Sequence, residues 1–509
     1  MSLRRNILAN YASQIYVTLI GIAMLPVYLE YMGAEAYGLV GFFAMLQAWF
    51  QLLDLGLSPA MARQAARFRG GALSANGLRR LLRLLEKIFS AVGLLGGLIL
   101  VGCSGLIASR WLQVNQLGIA EVSWAVALMG CTVSLRWISG LYRGVIWGFE
   151  RIEWLSVWNA IVATLRFVGV LPVLMLVSAK PIAFFTYQLI VAVLELGVMI
   201  ASTYNALPMA ARGTAASATP QESLRGMMGF SLSLAFTSSA WVLVTQTDKL
   251  VLSKLLSLAD YGYFTLAVML ASGVNILSGP VSTAIVPRLS RMHAEGDEVR
   301  FMDIYRNATQ AVVTIAVSAA LVLSAFPTQI LWAWTGDVDL ARQAAPVLSL
   351  YGLGNGIMIV AAFQHSLQFA KGDLTLHVIG NVLFLAILLP GLILACWKYG
   401  MVGAGWVWLV SNCAMLIFWV PLIHNRFIPG LHWKWLSRDV ALPMGAGVAA
   451  TLVLKYVVEW PSSRWGVSLV LPVVGLLIVT AAAGGSSFAR EQIFLQWARL
   501  NFLSTKNSP

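Results

Sequence analysis

Apolar residues along this chain run in blocks of about twenty, the length at which one helix crosses a hydrocarbon layer about 30 Å thick, and polar residues gather between the blocks. Fourteen such blocks fall near 7–29, 38–58, 88–109, 119–142, 155–178, 182–204, 226–247, 260–285, 308–333, 344–370, 374–397, 401–423, 440–458 and 466–484. The pattern therefore predicts an all-α polytopic membrane protein of about 14 spans.

Composition excludes the alternatives. Of 509 residues, 59% are hydrophobic and 11% charged, against about 25% charged in soluble proteins, so a soluble enzyme is ruled out. No connection between blocks is long enough to fold as a catalytic domain. The longest are Arg63 to Lys87, the Pro/Gly-containing Asn205 to Leu224 and the mixed-charge Arg288 to Arg306, and the stretch Arg426 to Arg438 between the twelfth and thirteenth blocks is expected to be wet.

The balance of 34 Lys+Arg against 21 Asp+Glu gives a formal charge of +13. If the N-terminus is inside and the spans alternate, 24 basic residues fall in inside segments and 8 outside. That bias follows the positive-inside rule, so it predicts a cytoplasmic N-terminus and assigns the basic excess to orientation instead of nucleic acid. Met1 to Arg5 runs into the first block without a small-residue cleavage site and is expected to be retained. Cys103, Cys131, Cys396 and Cys413 lie inside apolar blocks without metal-ligand spacing; reduced packing residues are expected, with no metal and no cofactor.

A weak internal repeat divides the chain. Ala36-Tyr37-Gly38-Leu39 is similar to Asp260-Tyr261-Gly262-Tyr263 at an offset of 224, and Gly148-Phe149-Glu150-Arg151 aligns with Ala370-Lys371-Gly372-Asp373 at 222, as Asn159 does with Asn381. Six is an even number of spans, so the copies enter the membrane from the same side, as parallel repeats with a cavity expected between them. The expected divisions are residues 1–212 and 213–430, two six-helix bundles, and 431–509, two additional spans with a cytoplasmic tail.

Charges at membrane depth cost roughly 2.5–3.5 kcal/mol each on insertion scales, so they face a cavity or a partner. Arg136 and Arg143, seven apart, share one face of the fourth span. Arg166 lies deepest, about midway along the fifth, and Glu195 lies in the middle of the sixth. Guanidinium groups match phosphate oxygens with a planar fork of donors, so Arg136, Arg143 and Arg166 are candidate binding residues for an anionic head group. Snorkelling of Arg143 to the surface and an ion pair between Arg166 and Glu195 are the plainer alternatives. Glu195 and Asp54, which ends the second span, are the candidate ion-coupling carboxylates; a helix cap is the other reading of Asp54. His365 and His377 read as interfacial hydrogen-bonding residues.

The run Arg5-Asn6-Ile7-Leu8-Ala9-Asn10-Tyr11, then Leu25-Pro26-Val27-Tyr28, Gly33-Ala34-Glu35-Ala36-Tyr37-Gly38-Leu39, Asp54-Leu55-Gly56-Leu57 and Arg63, resembles the opening of Wzx-type polysaccharide exporters. These belong to the multidrug/oligosaccharidyl-lipid/polysaccharide (MOP) superfamily. Gln246-Thr247-Asp248-Lys249 to Tyr261-Gly262-Tyr263-Phe264, with Pro287-Arg288, is similar to the start of that family's second half. The resemblance covers about the first 425 residues and transfers no individual site residue. It implies a non-enzymatic flippase moving a lipid-linked oligosaccharide, commonly on undecaprenyl diphosphate, across the bacterial inner membrane. It implies alternating access, protons or sodium as candidate coupling ions, and membrane lipids and other polysaccharide-assembly proteins as partners. A drug or metabolite antiporter of the same superfamily would need acidic cavity residues, whereas the deep charges here are mostly basic. A membrane glycosyltransferase would need a sizeable external loop.

Overall fold

The structure, a computed structural model, describes residues 3–207 and 239–492. Most of the expected span at 226–247, the expected division at 212/213, Arg212, Arg225, nearly all of Asn205 to Leu224 and the tail beyond 492 lie outside the described residues. Those described are overwhelmingly helical, with one isolated bridge, Gln113 to Ser257, and no named strand. Among them are 12 helices long and apolar enough to cross a membrane. One, Thr375–Phe427, is 53 residues long, about 80 Å at 1.5 Å per residue, and it contains two expected spans. Gly400, at φ 57° and ψ −139°, breaks it where the sequence places the boundary. The chain divides into two compact units, Met1–Thr265 and Leu266–Pro509.

In the first unit, α1 (Leu3–Met32), α2 (Ala34–Phe50), α3 (Leu57–Arg69), α4 (Ala75–Leu106), α5 (Ile119–Gly148), α6 (Ile152–Phe167), α7 (Leu171–Leu176) and α8 (Pro181–Ala206) follow in order. The Arg63 to Lys87 connection is mostly helix, not loop. Ser74 caps α4 by accepting from the Gly77 N–H, and Leu78, Leu81, Leu82 and Leu85 bury one stripe while Arg79, Arg80 and Arg83 fall between them. An amphipathic turn of this kind scores poorly for apolarity yet folds on its buried face.

Segments assigned to one side of the membrane by charge meet at one end of this unit. At the end called outside, buried Glu35 accepts hydrogen bonds from the backbone N–H groups of Asn115, Gln116 and Leu117, and Trp111 donates to Ser253 (3.0 Å). At the other end Arg69 binds Glu150 (2.8 Å), and Tyr204 donates to Glu86 (2.9 Å).

Small residues set the closest helix approaches. Gly144 and Gly148 of α5 lie against the backbone of Ser58 and Ala62 in α3. Gly38 of α2 meets the start of the helix Leu258–Ser272, where a Cβ on Gly262 would stand 2.8 Å from the Ala34 carbonyl oxygen and 3.1 Å from the Gly38 nitrogen. The two copies of the Tyr-Gly motif therefore pack on each other. The other aligned turn agrees in conformation: Glu150 (φ 55°) and Gly372 (φ 75°), 222 apart, are both left-handed.

In the second unit, Arg288 to Arg306 is again helix rather than loop. Val274–Glu295 ends at left-handed Gly296, and Glu298–Val312 begins under an Asp297 cap. The stretch Arg426 to Arg438, expected to be wet, is partly core: Trp435, His432 and Leu431 are buried. Its polar atoms find partners there. Tyr305 hydrogen-bonds His424 (2.9 Å), whose other nitrogen faces His432 (3.2 Å), and Trp435 donates to Thr309 (3.0 Å). Below them, fully buried Asp439 receives Arg306 through two nitrogens (2.6 and 3.1 Å) and the Gln310 amide (2.8 Å). Gln310 then accepts from Ser486, Ser487 and the Phe488 N–H. This network ties the ends of Leu442–Val457 and Arg464–Gly485 to the helix Glu298–Val312.

Three substitutions test this packing by thermal unfolding in detergent. Gly38→Val drives a side chain into the Leu258 carbonyl and is expected to cost about 1–3 kcal/mol, whereas Gly102→Ala, with open space around it, is expected to be neutral or slightly stabilising. Asp439→Ala removes the acceptor shared by Arg306 and Gln310 and is expected to cost about 3 kcal/mol.

Candidate functional site

The deep charges expected from the sequence all lie in the first unit. Arg136 and Arg143 project from α5, and Gln188 and Glu195, also seven apart, project from α8. Two turns of helix separate the members of each pair, so the helices form a two-rung ladder. Arg136 Nη2 donates to Gln188 Oε1 (2.7 Å), and Arg143 Nη2 donates to Glu195 Oε1 (2.8 Å). The rungs differ in charge. Glu195 neutralises Arg143, whose side chain is 45% exposed while that of Glu195 is 3% exposed; Gln188 orients Arg136 without neutralising it.

Arg166 reaches the same place from a helix end. Pro172 has no N–H to continue α6 and its ring excludes the regular helical path, so α6 stops at Phe167 and α7 starts at Leu171. The break frees carbonyl groups that hydrocarbon cannot hydrate. Side chains cover them: Tyr187 donates to the Leu165 carbonyl (3.0 Å), Gln188 to that of Arg166 (2.8 Å) and Tyr28 to that of Phe167 (2.7 Å). Gly169 leaves room for Tyr187, whose hydroxyl a Cβ there would overlap. The guanidinium of Arg166 lies at the negative end of the α6 dipole, where a cation is favoured.

Gln47 of α2 joins the two deep cations. Its Oε1 accepts from Arg136 Nη1 (3.0 Å) and Arg166 Nη2 (3.4 Å). Arg136 also sits over the Phe43 ring (5.3 Å) and Arg166 over that of Phe167 (5.8 Å). Among the described residues no carboxylate is bonded to Arg136 or Arg166. The Nε atoms of both, and Glu195 Oε2, are buried without a hydrogen-bond partner. Two guanidinium groups converging on one neutral oxygen, with donors to spare, form an arrangement suited to an anion.

The sequence-predicted residues therefore separate. Arg136 and Arg166 come together; Arg143 pairs with Glu195 two turns along α5, so the carboxylate expected beside Arg166 is bonded elsewhere. Asp54 is local: its Oδ1 accepts from the Ser58 hydroxyl (2.6 Å) and N–H (3.1 Å) at the start of α3, beside left-handed Leu55 and Gly56. His365 and His377 lie in the second unit with ring centroids 4.3 Å apart. No cluster of three metal-ligating side chains occurs among the described residues. Sequence reasoning missed Gln47, Gln188, Tyr28 and Tyr187, all neutral. The available signal was Gly169 and Pro172 inside an apolar block beside a deep arginine, since interrupted spans mark binding sites in transporters.

The solved structures similar to this chain share its fold. A lipid II flippase, MurJ, in an inward closed conformation matches with a TM-score of 0.72 at 14% identity, over 96% of this chain and all of that one. An inward-facing multidrug resistance MATE transporter of the MOP superfamily gives 0.63 at 13% identity, over 81% of this chain and 94% of its own. A Vibrio cholerae MATE transporter gives 0.57 at 15% identity, over 84% and 98%. No curated protein matches the sequence. The model of the family described as polysaccharide biosynthesis protein matches residues 3–293, more than half of the chain, and the protein belongs to that family.

Proposed function

We propose that this protein is a transporter that flips a lipid-linked oligosaccharide, carried on undecaprenyl diphosphate, across the bacterial inner membrane for export of a cell-surface polysaccharide. One observation carries the reading: Arg136 and Arg166 share a neutral acceptor, and among the described residues no carboxylate is bonded to either. An unpaired buried charge costs several kcal/mol, and an anionic diphosphate held by the spare donors would offset that cost. Family membership supports a role in polysaccharide assembly, and the likeness to a lipid II flippase supports a lipid-linked cargo.

In this reading residues 1–212 and 213–430 are the two halves that alternate access and 431–509 the appended pair. In this reading the N-terminus is cytoplasmic, which the excess of Lys and Arg in the segments on its side supports. Arg143 extends the cationic patch toward the aqueous end, and Glu195 exchanges its guanidinium partner for a proton or sodium ion during the cycle. Asp54 acts in the same coupling from the start of α3. Antiport of a cationic drug is a poor fit to a cluster with three guanidinium groups and one carboxylate.

Arg136→Gln and Arg166→Gln are each expected to lower export by about ten- to a hundredfold, the value of one lost charge-assisted contact, with an unchanged amount of protein in the membrane. The measurement is lipid-linked oligosaccharide accumulating on the cytoplasmic face of cells that carry each variant; wild-type export by both would remove the assignment. Glu195→Gln is expected to slow export, and the charge-swapped pair Arg143→Glu with Glu195→Arg is expected not to restore it. Full recovery in the swapped pair would make this rung structural.

A further inference from the structure

A second cationic feature lies in the other unit. The helices Val274–Glu295 and Glu298–Val312 enclose a cleft of about 500 Å³ lined by Pro287, Arg288, Arg291, Met292, Arg300 and Ile304. It lies where the membrane span Glu298–Ala325 begins, so Arg300 occupies the first turn of a span. The lining is of two kinds, three guanidinium groups and the apolar Met292, Ile304 and Pro287 ring, and Arg288 with Met292 and Arg300 with Ile304, four apart, share a helix face.

The three cations are available. Arg288 is exposed and makes no hydrogen bond or ion pair among the described residues. Arg291 meets Glu295 and Arg300 meets Asp297, both at 3.4 Å and with the guanidinium side chains largely exposed, a geometry that holds a side chain weakly. The nearby acids have other duties. Asp297 caps its helix by accepting from the Arg300 N–H (3.0 Å), and Glu298 pairs with Lys371 (3.3 Å). Val299, beside Arg300, is 69% exposed, an apolar side chain turned outward at the end of a span.

A role in orienting the chain requires positive charge but no cleft, and a site for a soluble anion requires no apolar wall. We infer that this cleft binds the phosphate head group of an anionic membrane lipid, with Arg288, Arg291 and Arg300 on the phosphate and the start of the acyl region along Met292 and Ile304. Basic clefts at membrane boundaries recognise such head groups by charge, and the planar forks of arginine match phosphate oxygens. The inference does not depend on the cargo site, which lies on other helices of the first unit.

The test uses the full chain, purified and delipidated in detergent, with binding of phosphatidylglycerol and phosphatidylcholine followed by native mass spectrometry. Wild type is expected to bind phosphatidylglycerol about tenfold more tightly than phosphatidylcholine, and R288Q to lose most of that preference, since each charge-assisted contact has about this value. The triple variant R288Q/R291Q/R300Q is expected to abolish it. Because Arg288 has no partner among the described residues, R288Q keeps the test valid if the triple variant does not fold. Equal phosphatidylglycerol binding by wild type and R288Q would overturn the inference. So would full displacement of the lipid by millimolar inorganic phosphate, which would make the cleft a site for soluble anions.

Discussion

A charge inside hydrocarbon must be answered, and the way the first unit leaves two guanidinium groups only half answered organises everything around them. Arg136 and Arg166 have hydrogen-bond partners from α2 and α8 and lie over rings of α2 and α6, yet among the described residues every partner is a side-chain amide or a ring face. The helix break at Val168 to Val170 belongs to the same arrangement. It ends α6 just past Arg166, turns the negative end of a helix dipole toward the cation, and obliges Tyr28, Tyr187 and Gln188 to converge on the freed carbonyls. Gln188 therefore serves twice, holding the backbone of α6 through its amide nitrogen and the guanidinium of Arg136 through its oxygen.

The second unit answers the same constraint in the opposite way. Its buried acid, Asp439, is matched in full by Arg306 and Gln310, and the amide of Gln310 passes the connection on to Ser486 and Ser487. Nothing in that cluster is left over for a ligand, and its effect is to pin the last two helices in place. At the repeat offset of 222, the positions of Arg136 and Arg166 hold Met358 and Leu388. No cation stands at either aligned position.

Much of this was legible from the sequence, for a reason specific to membranes. A lipid-facing helix has few ways to hide a polar residue, so the apolar blocks, the deep arginines and the alternation of charged connections can be read directly. The meetings of Glu35 with Asn115 to Leu117, and of Arg69 with Glu150, follow the sides that charge assigned. What could not be read lies where that rule relaxes. The first turns of α4 and the segment around Trp435 are amphipathic, buried on one face and wet on the other, so their mean hydropathy is no higher than that of a loop. Gln47 and Gln188 carry no charge, and nothing in a single sequence distinguishes an amide that positions a guanidinium from one that faces solvent.

The choice of amide is itself informative. A glutamate at position 47 or 188 would hold its arginine more strongly, because a charge-assisted pair is roughly twice as strong as a bond with one neutral partner. It would also cancel the charge, and an incoming anion would then compete with a carboxylate fixed a few ångströms away. Glutamine keeps the guanidinium in one orientation and leaves its charge intact, at the expense of stability in the empty protein. The rung from Arg143 to Glu195 makes the other choice within the same pair of helices, two turns away. The two rungs thus place an arginine whose described partners are all neutral beside an arginine that holds its counter-charge.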